Sequence, residues 1–140
     1  MHDLLNDLAK CVSGEICYRL DVDRPGSVPK NTCHFLTIKN PLKCHDYRSL
    51  CNAKRLRTFI AFGYCGMSMQ ELISNFKFLR LLSLSFCHKV KEVPDTIADL
   101  IHLRSLDLSI TDIEKLPDST CSLCNLQELR LNNSTHLFFC

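Results

Sequence analysis

Glycine is scarce in this sequence, with four residues, and proline occurs five times, with no low-complexity tract. An excess of one charge is also missing. The 17 Lys and Arg against 15 Asp and Glu leave a net charge of +2, too near zero to mark nucleic acid or an anionic membrane as a partner. No apolar run approaches the roughly 20 residues that span a bilayer. Asp3, Asn6 and Asp7 interrupt the first apolar stretch, which excludes a signal peptide. A phosphate-binding G-x-x-x-x-G-K-S/T loop is absent, as are a nucleophile elbow and a paired-acid motif. What is present is a globular composition, 46% hydrophobic and 23% charged, in a chain long enough for one domain. Ten cysteines without a secretory signal point to a reducing compartment, hence a cytoplasmic location.

The strongest positive feature is self-similarity. "LRLLSLSFC" begins at Leu79, "LRSLDLSIT" at Leu103 and "LQELRLNNS" at Leu126, so the starts are 24 (103 − 79) and 23 (126 − 103) residues apart. Each reads Leu-x-x-Leu-x-Leu-x-x-Cys/Thr/Ser, the pattern of a leucine-rich repeat, whose period is about 20–29 residues. Leu82 and Leu84, Leu106 and Leu108, and Leu129 and Leu131 stand two apart, so on a strand each pair enters one core. "VPDTIADL" (93–100) matches "LPDSTCSL" (116–123), with Ile97 against Thr120 as the weak position. Here the Pro-Asp step predicts a short helical or extended turn on the convex side. Counting back 23 residues places a unit at Leu56, with Phe59 and Ala61 in the core slots, and another at Cys33, with Leu36 and Ile38. "MQELISNF" (69–76) is then the helical return between Leu56 and Leu79. Parallel strands are expected near 36–38, 58–61, 81–84, 105–108 and 128–131, stacked in that order. The fold class is an α/β leucine-rich-repeat solenoid with parallel strands on its concave side.

One such unit cannot bury its own apolar face, so units stack into a curved binding scaffold. The residues between the core positions line the concave face: Thr58, Ile60, Phe62; Leu81, Ser83, Ser85; Ser105, Asp107, Ser109; and Glu128, Arg130, Asn132. This strip is apolar at its N-terminal end and charged at its C-terminal end. A mixed strip of this kind suits a protein ligand, and equally an ordinary solvated face.

Ahead of the repeats, Leu4, Leu5, Leu8 and Val12 fall on one side of an amphipathic helix expected over 3–12, with Asp3 as cap or first-turn acid and Ser13-Gly14 as its end. Residues 15–22 form a second apolar segment, and 23–31, with two prolines, a loop. "MHDLLNDLAK", followed by "HFLTI" and then by the repeats, resembles the plant intracellular immune receptors of the nucleotide-binding, leucine-rich-repeat class, coiled-coil type. The likeness covers nearly the whole chain. It implies that residues 1–22 are the end of a nucleotide-binding module, 23–55 a linker with the first strand, and 56–140 truncated leucine-rich repeats. It also implies that His2 and Asp3 match positions that sense a bound nucleotide. Since the phosphate loop is absent, ADP or ATP belongs to the full-length receptor, and no cofactor is expected for this chain, which reads as a fragment. The implied partners are a protein ligand, either a pathogen effector or a guarded host protein, and the receptor's own nucleotide-binding module. The implied role is non-enzymatic recognition and autoinhibition in defence; the alternative is a free-standing leucine-rich-repeat adaptor. With apolar residues at both ends, from Leu4 to Val12 and at Phe138 and Phe139, the isolated chain is expected to self-associate.

Cysteine and histidine invite a metal. Three Cys–His dipeptides occur (33–34, 44–45, 87–88), and Cys121 and Cys124 have ligand spacing. Neighbours on a strand point to opposite faces, however, and no second paired motif completes four ligands. Cys87 sits in the slot where this repeat takes Asn, Cys or Thr to bond the stacked backbone. No metal site is expected.

Overall fold

A computed structural model of the protein describes residues 17–20, 27–38, 48–63 and 65–132. Six strands form one sheet: β1 (Cys17–Leu20), β2 (His34–Ile38), β3 (Thr58–Phe62), β4 (Leu81–Ser83), β5 (Ser105–Asp107) and β6 (Glu128–Arg130). Each strand pairs with the next in chain order, and every pairing is parallel. Thr58 lies opposite Leu81, Leu81 opposite Ser105 and Ser105 opposite Glu128, so the sequence repeat of 23–24 residues is also the spatial step. The five expected strands all form. β1 is an additional strand, and with it the sheet starts upstream of residue 23. The helix expected over 3–12 lies outside the described residues.

The core follows from side-chain alternation. Phe59, Ala61, Leu82, Leu84, Leu106 and Leu108 are fully buried in one cluster, while the residues between them are half-buried on the other face. The last unit departs from this: Leu129 is 37% exposed and Leu131 half-buried. Return segments close the other side of the core. Helix α1 (Met69–Asn75) begins with a capping box: the Ser68 hydroxyl accepts from the Glu71 N–H at 3.2 Å, and the Ser68 N–H donates to the Glu71 carboxylate at 3.0 Å. Its buried face is Met69, Leu72 and Ile73. In the next two units the return is one 3₁₀ turn, η1 (Asp95–Asp99) and η2 (Asp118–Ser122), each entered through a proline held extended, Pro94 and Pro117. Ile97 plugs the core in η1. Its counterpart Thr120 and the adjoining Ser119 each bury a hydroxyl with no hydrogen-bond partner among the described residues.

One expected register is corrected. In β2 the buried residues are Phe35 and Thr37, not Leu36 and Ile38, which are half-buried on the opposite face. His34 pairs with Thr58 and Phe35 with Phe59, a step of 24 in place of the expected 23. A slip of one residue inverts both faces of a strand. Aromatic packing selects the observed choice. The rings of Tyr18, Phe35, Phe59 and Phe76 stack in series, with centroids 6.2, 5.4 and 6.4 Å apart, and offset ring contacts of this kind add to plain area burial.

Where the strands leave the sheet, the same conformation recurs. Gly63, Phe86 and Ile110 take φ of 89°, 62° and 56°. Each N–H donates across to the next unit, to the carbonyls of Ser85, Ser109 and Asn132 at 2.9, 3.0 and 3.0 Å. Glycine adopts this geometry freely, whereas a non-glycine residue there costs on the order of 1–3 kcal/mol, which the surrounding structure must offset.

Candidate protein-binding face

The face opposite the core carries the twelve residues read from the sequence. Thr58, Ile60, Phe62, Leu81, Ser83, Ser85, Ser105, Asp107 and Ser109 are half-buried; Glu128, Arg130 and Asn132 are exposed. The register arranges them in rows across the sheet. One row runs His34, Thr58, Leu81, Ser105, Glu128; the next runs Leu36, Ile60, Ser83, Asp107, Arg130. His34, Leu36 and Ile38 of β2 therefore belong to this face as well. Sequence reading missed them through the one-residue slip. The available signal was the match of "HFLTI" to "TFIAF", with Phe second in both.

The face is divided by chemistry. Its front half is apolar: Leu36, Ile38, Ile60, Phe62 and Leu81 are joined by Phe86, which is 39% exposed. The Phe86 ring tilts against Phe62 at 4.6 Å and 48°. Beyond it the face is a hydrogen-bonded polar network. Ser83 and Ser85 hydroxyls lie 3.2 Å apart, the Ser85 hydroxyl donates to Asp107 at 3.0 Å, and the Ser109 N–H donates to the other Asp107 oxygen at 3.0 Å. Ser105 donates to Glu128 at 3.3 Å, and Glu128 also pairs with the Arg130 guanidinium. This network fixes the positions of Asp107 and Glu128 before any partner arrives, which lowers the ordering cost of binding.

His34 Nδ1 lies 2.9 Å from the Thr58 hydroxyl, with the donor set by the tautomer. Partial burial, then the nearby Arg57 charge, push its pKa below the ordinary histidine value. The imidazole is accordingly neutral at physiological pH, and the apolar front half carries no charge from it.

The cysteines divide by burial. Burial pushes the Cys65 thiol up to about 12 and the Cys87 thiol up to about 11, so both are un-ionised and inert. Cys87 Sγ is 3.6 Å from the Ala61 carbonyl of the neighbouring unit, the inter-unit bond expected of its slot; Thr111, at the matching place, donates to Leu108 at 2.7 Å. Cys121 and Cys124 are exposed free thiols. Among the described residues, no three His, Cys, Asp or Glu side chains gather as metal ligands. His2 and Asp3 lie outside the described residues. No helix among the described residues is long and apolar enough to cross a membrane.

Comparison with known proteins agrees with this geometry. Residues 55–137 match the family model for a leucine-rich repeat region. An Arabidopsis thaliana protein described as a disease resistance protein is 39% identical over 147 residues, covering 98% of this chain and 10% of its own length. A disease resistance RPP13-like protein 1 of the same plant is 32% identical over 139 residues, covering 92% of this chain and 13% of its own. The chain thus spans about a tenth of the length of these curated relatives. Among solved structures, a leucine-rich-repeat protein of Leptospira interrogans superposes with a TM-score of 0.65 at 19% identity, covering 91% of this chain and 34% of that one, a likeness of fold alone. From its parallel strands, its 23–24 residue step and the match over residues 55–137, the chain belongs to the leucine-rich-repeat family.

Proposed function

We propose that the chain is the front of the recognition module of a plant immune receptor, a non-enzymatic surface that binds a protein ligand through its sheet face. The observation that carries this reading is the divided face itself. An apolar half centred on Ile60, Phe62 and Phe86 adjoins a pre-ordered polar half centred on Asp107 and Glu128, the make-up of a protein interface with an apolar core and polar rim. Support for the plant-defence setting comes from relatives whose similarity runs over 98% and 92% of the chain. In that setting the ligand is a pathogen effector or a guarded host protein, and the same face or its borders contact the receptor's nucleotide-binding module in the resting state, in the cytoplasm. His2 and Asp3 serve nucleotide sensing only in the full-length receptor. This chain alone, without a phosphate loop, binds neither ADP nor ATP, and calorimetry with each should give no measurable heat.

The direct test is a transplant. The chain replaces the matching residues of the 39% identical Arabidopsis protein, and cell death is scored in leaf tissue. Ile60→Arg and Asp107→Arg on the sheet face should change the response, either abolishing it or triggering it without a pathogen. An unchanged response from both variants, at equal protein level, overturns the reading and leaves a free-standing leucine-rich-repeat adaptor as the better one.

A further inference from the structure

The residue that enters each strand forms a second series, apart from the sheet face. Arg57, Arg80 and Arg104 directly precede β3, β4 and β5. Their backbones are tied in a ladder: the Arg57 N–H donates to the Cys33 carbonyl, Arg80 to Arg57 and Arg104 to Arg80, each at 2.7 Å, and Gln127 to Arg104 at 2.8 Å. Hydrogen-bonded parallel strands lie about 4.8 Å apart, so three guanidinium stems leave the sheet at that interval. All three arginines are exposed, as is Arg55. None of the four is in an ion pair among the described residues, where the pairs are Lys77–Asp99, His88–Asp112 and Arg130–Glu128. Like charges directly opposite one another in a sheet destabilise it, so the ladder carries a standing cost that a bound anion relieves.

Beside the ladder is an apolar shelf. Phe78, 54% exposed, stacks on the ring of His102 at 5.9 Å and 18°, and the adjoining Ile101 is 61% exposed. A groove of about 340 Å³ runs between the two series, lined by Arg55, Arg57, Phe78, Arg80 and His102. Arginine and exposed aromatic rings side by side are the residue types enriched in protein interfaces. A bare polyphosphate has nothing to place on Phe78 and Ile101, whereas an extended peptide alternates its side chains between two directions.

We propose that this groove docks an acidic, extended segment of a partner protein, its carboxylates on the arginine ladder and an apolar side chain on the Phe78–His102 shelf. The surface is distinct from the sheet face, so substitutions there leave this contact intact, and failure of one reading does not imply failure of the other.

Fluorescence anisotropy on the full 140-residue chain tests it. The probe is a labelled peptide in which Glu alternates with Leu. Two comparison peptides alternate Glu with Ser and Lys with Leu, and inorganic tripolyphosphate serves as competitor. The Glu–Leu peptide should bind most tightly, and more weakly as salt approaches about 0.5 M, where screening reaches within a few Å. Combined Arg57→Glu and Arg80→Glu should weaken it about tenfold or more, as expected for arginine anchors. The milder Arg57→Gln with Arg80→Gln should weaken it in the same direction if charge reversal unfolds the chain. Phe78→Ser should weaken the Glu–Leu peptide and leave the Glu–Ser peptide unchanged, while Ile60→Ser should leave both unchanged. Wild-type affinity in the folded arginine variants overturns the proposal. So does a Glu–Ser peptide or tripolyphosphate that binds as tightly as the Glu–Leu peptide, which would make the ladder a general anion site.

Discussion

At β2 one hydroxyl stands where the core asks for a methyl group. Thr37 occupies the slot that Ala61 fills in the next strand; it is fully buried, and its hydroxyl has no hydrogen-bond partner among the described residues. An unpaired buried hydroxyl costs about 1–3 kcal/mol. Thr37→Val keeps the shape and removes that cost, so it should stabilise the chain by about 1 kcal/mol in a denaturant melt. If Leu36 were the core residue instead, Thr37→Val would place an extra methyl on the surface and change little. The thiols give a second residue-scale test. Under native conditions at pH 8, peptide mapping after alkylation should find Cys121 and Cys124 modified and Cys65 and Cys87 protected, because exposure favours the first pair and burial raises the pKa of the second. His34 gives a third. Its pKa is lowered in the fold, so the unfolded chain binds the proton more readily. The associated stability is complete above the ordinary histidine pKa of about 6.5 and is lost as pH falls below it. His34→Gln should flatten the fall in stability between pH 7.5 and 5.5; an equally steep fall would assign it to other groups.

Among the elements, the strands repeat closely and the returns do not. The Leu-x-x-Leu-x-Leu spacing after Leu79, Leu103 and Leu126 is enough to place β4, β5 and β6, because one register puts Leu82, Leu84, Leu106 and Leu108 in the core and carries Leu129 along with them. In β2 that signal fails. "HFLTI" is apolar at Phe35, Leu36 and Ile38, so either phase buries hydrophobic residues, and the choice rests on ring stacking with Tyr18 and Phe59, which a sequence does not display. The same slip hid His34, Leu36 and Ile38 from the candidate face. Arginine recurs in the sequence directly before β3, β4 and β5, but the lack of an ion-paired carboxylate beside it among the described residues is not visible there. The return at 69–76 was legible for local reasons: Ser68 and Glu71 form a capping box whose geometry needs no tertiary partner. Ser68→Ala should cost about 1 kcal/mol, read as a shift in the midpoint of chemical denaturation.

For the whole molecule, alternate strand residues divide into a core side and an outward side, buried and half-buried by turns from β2 to β5 and continued in register by β6. Leu106 and Asp107 are neighbours on β5 and assign this phase cleanly. Leu106 is fully buried between Leu82 and Leu129. Asp107 is half-buried on the face, where it accepts hydrogen bonds from Ser85 and Ser109. From the sequence alone Asp107→Ala is expected to be nearly neutral; those two bonds raise its cost to about 1 kcal/mol. Leu106→Ala opens a cavity across two interfaces between units and should cost about 2–5 kcal/mol. Urea melts of the two single variants beside the wild type are the most direct test. A loss for Leu106→Ala at least twice that for Asp107→Ala is the predicted result; equal losses, or the larger loss at Asp107, would contradict the division of the sheet into a core side and an outward side.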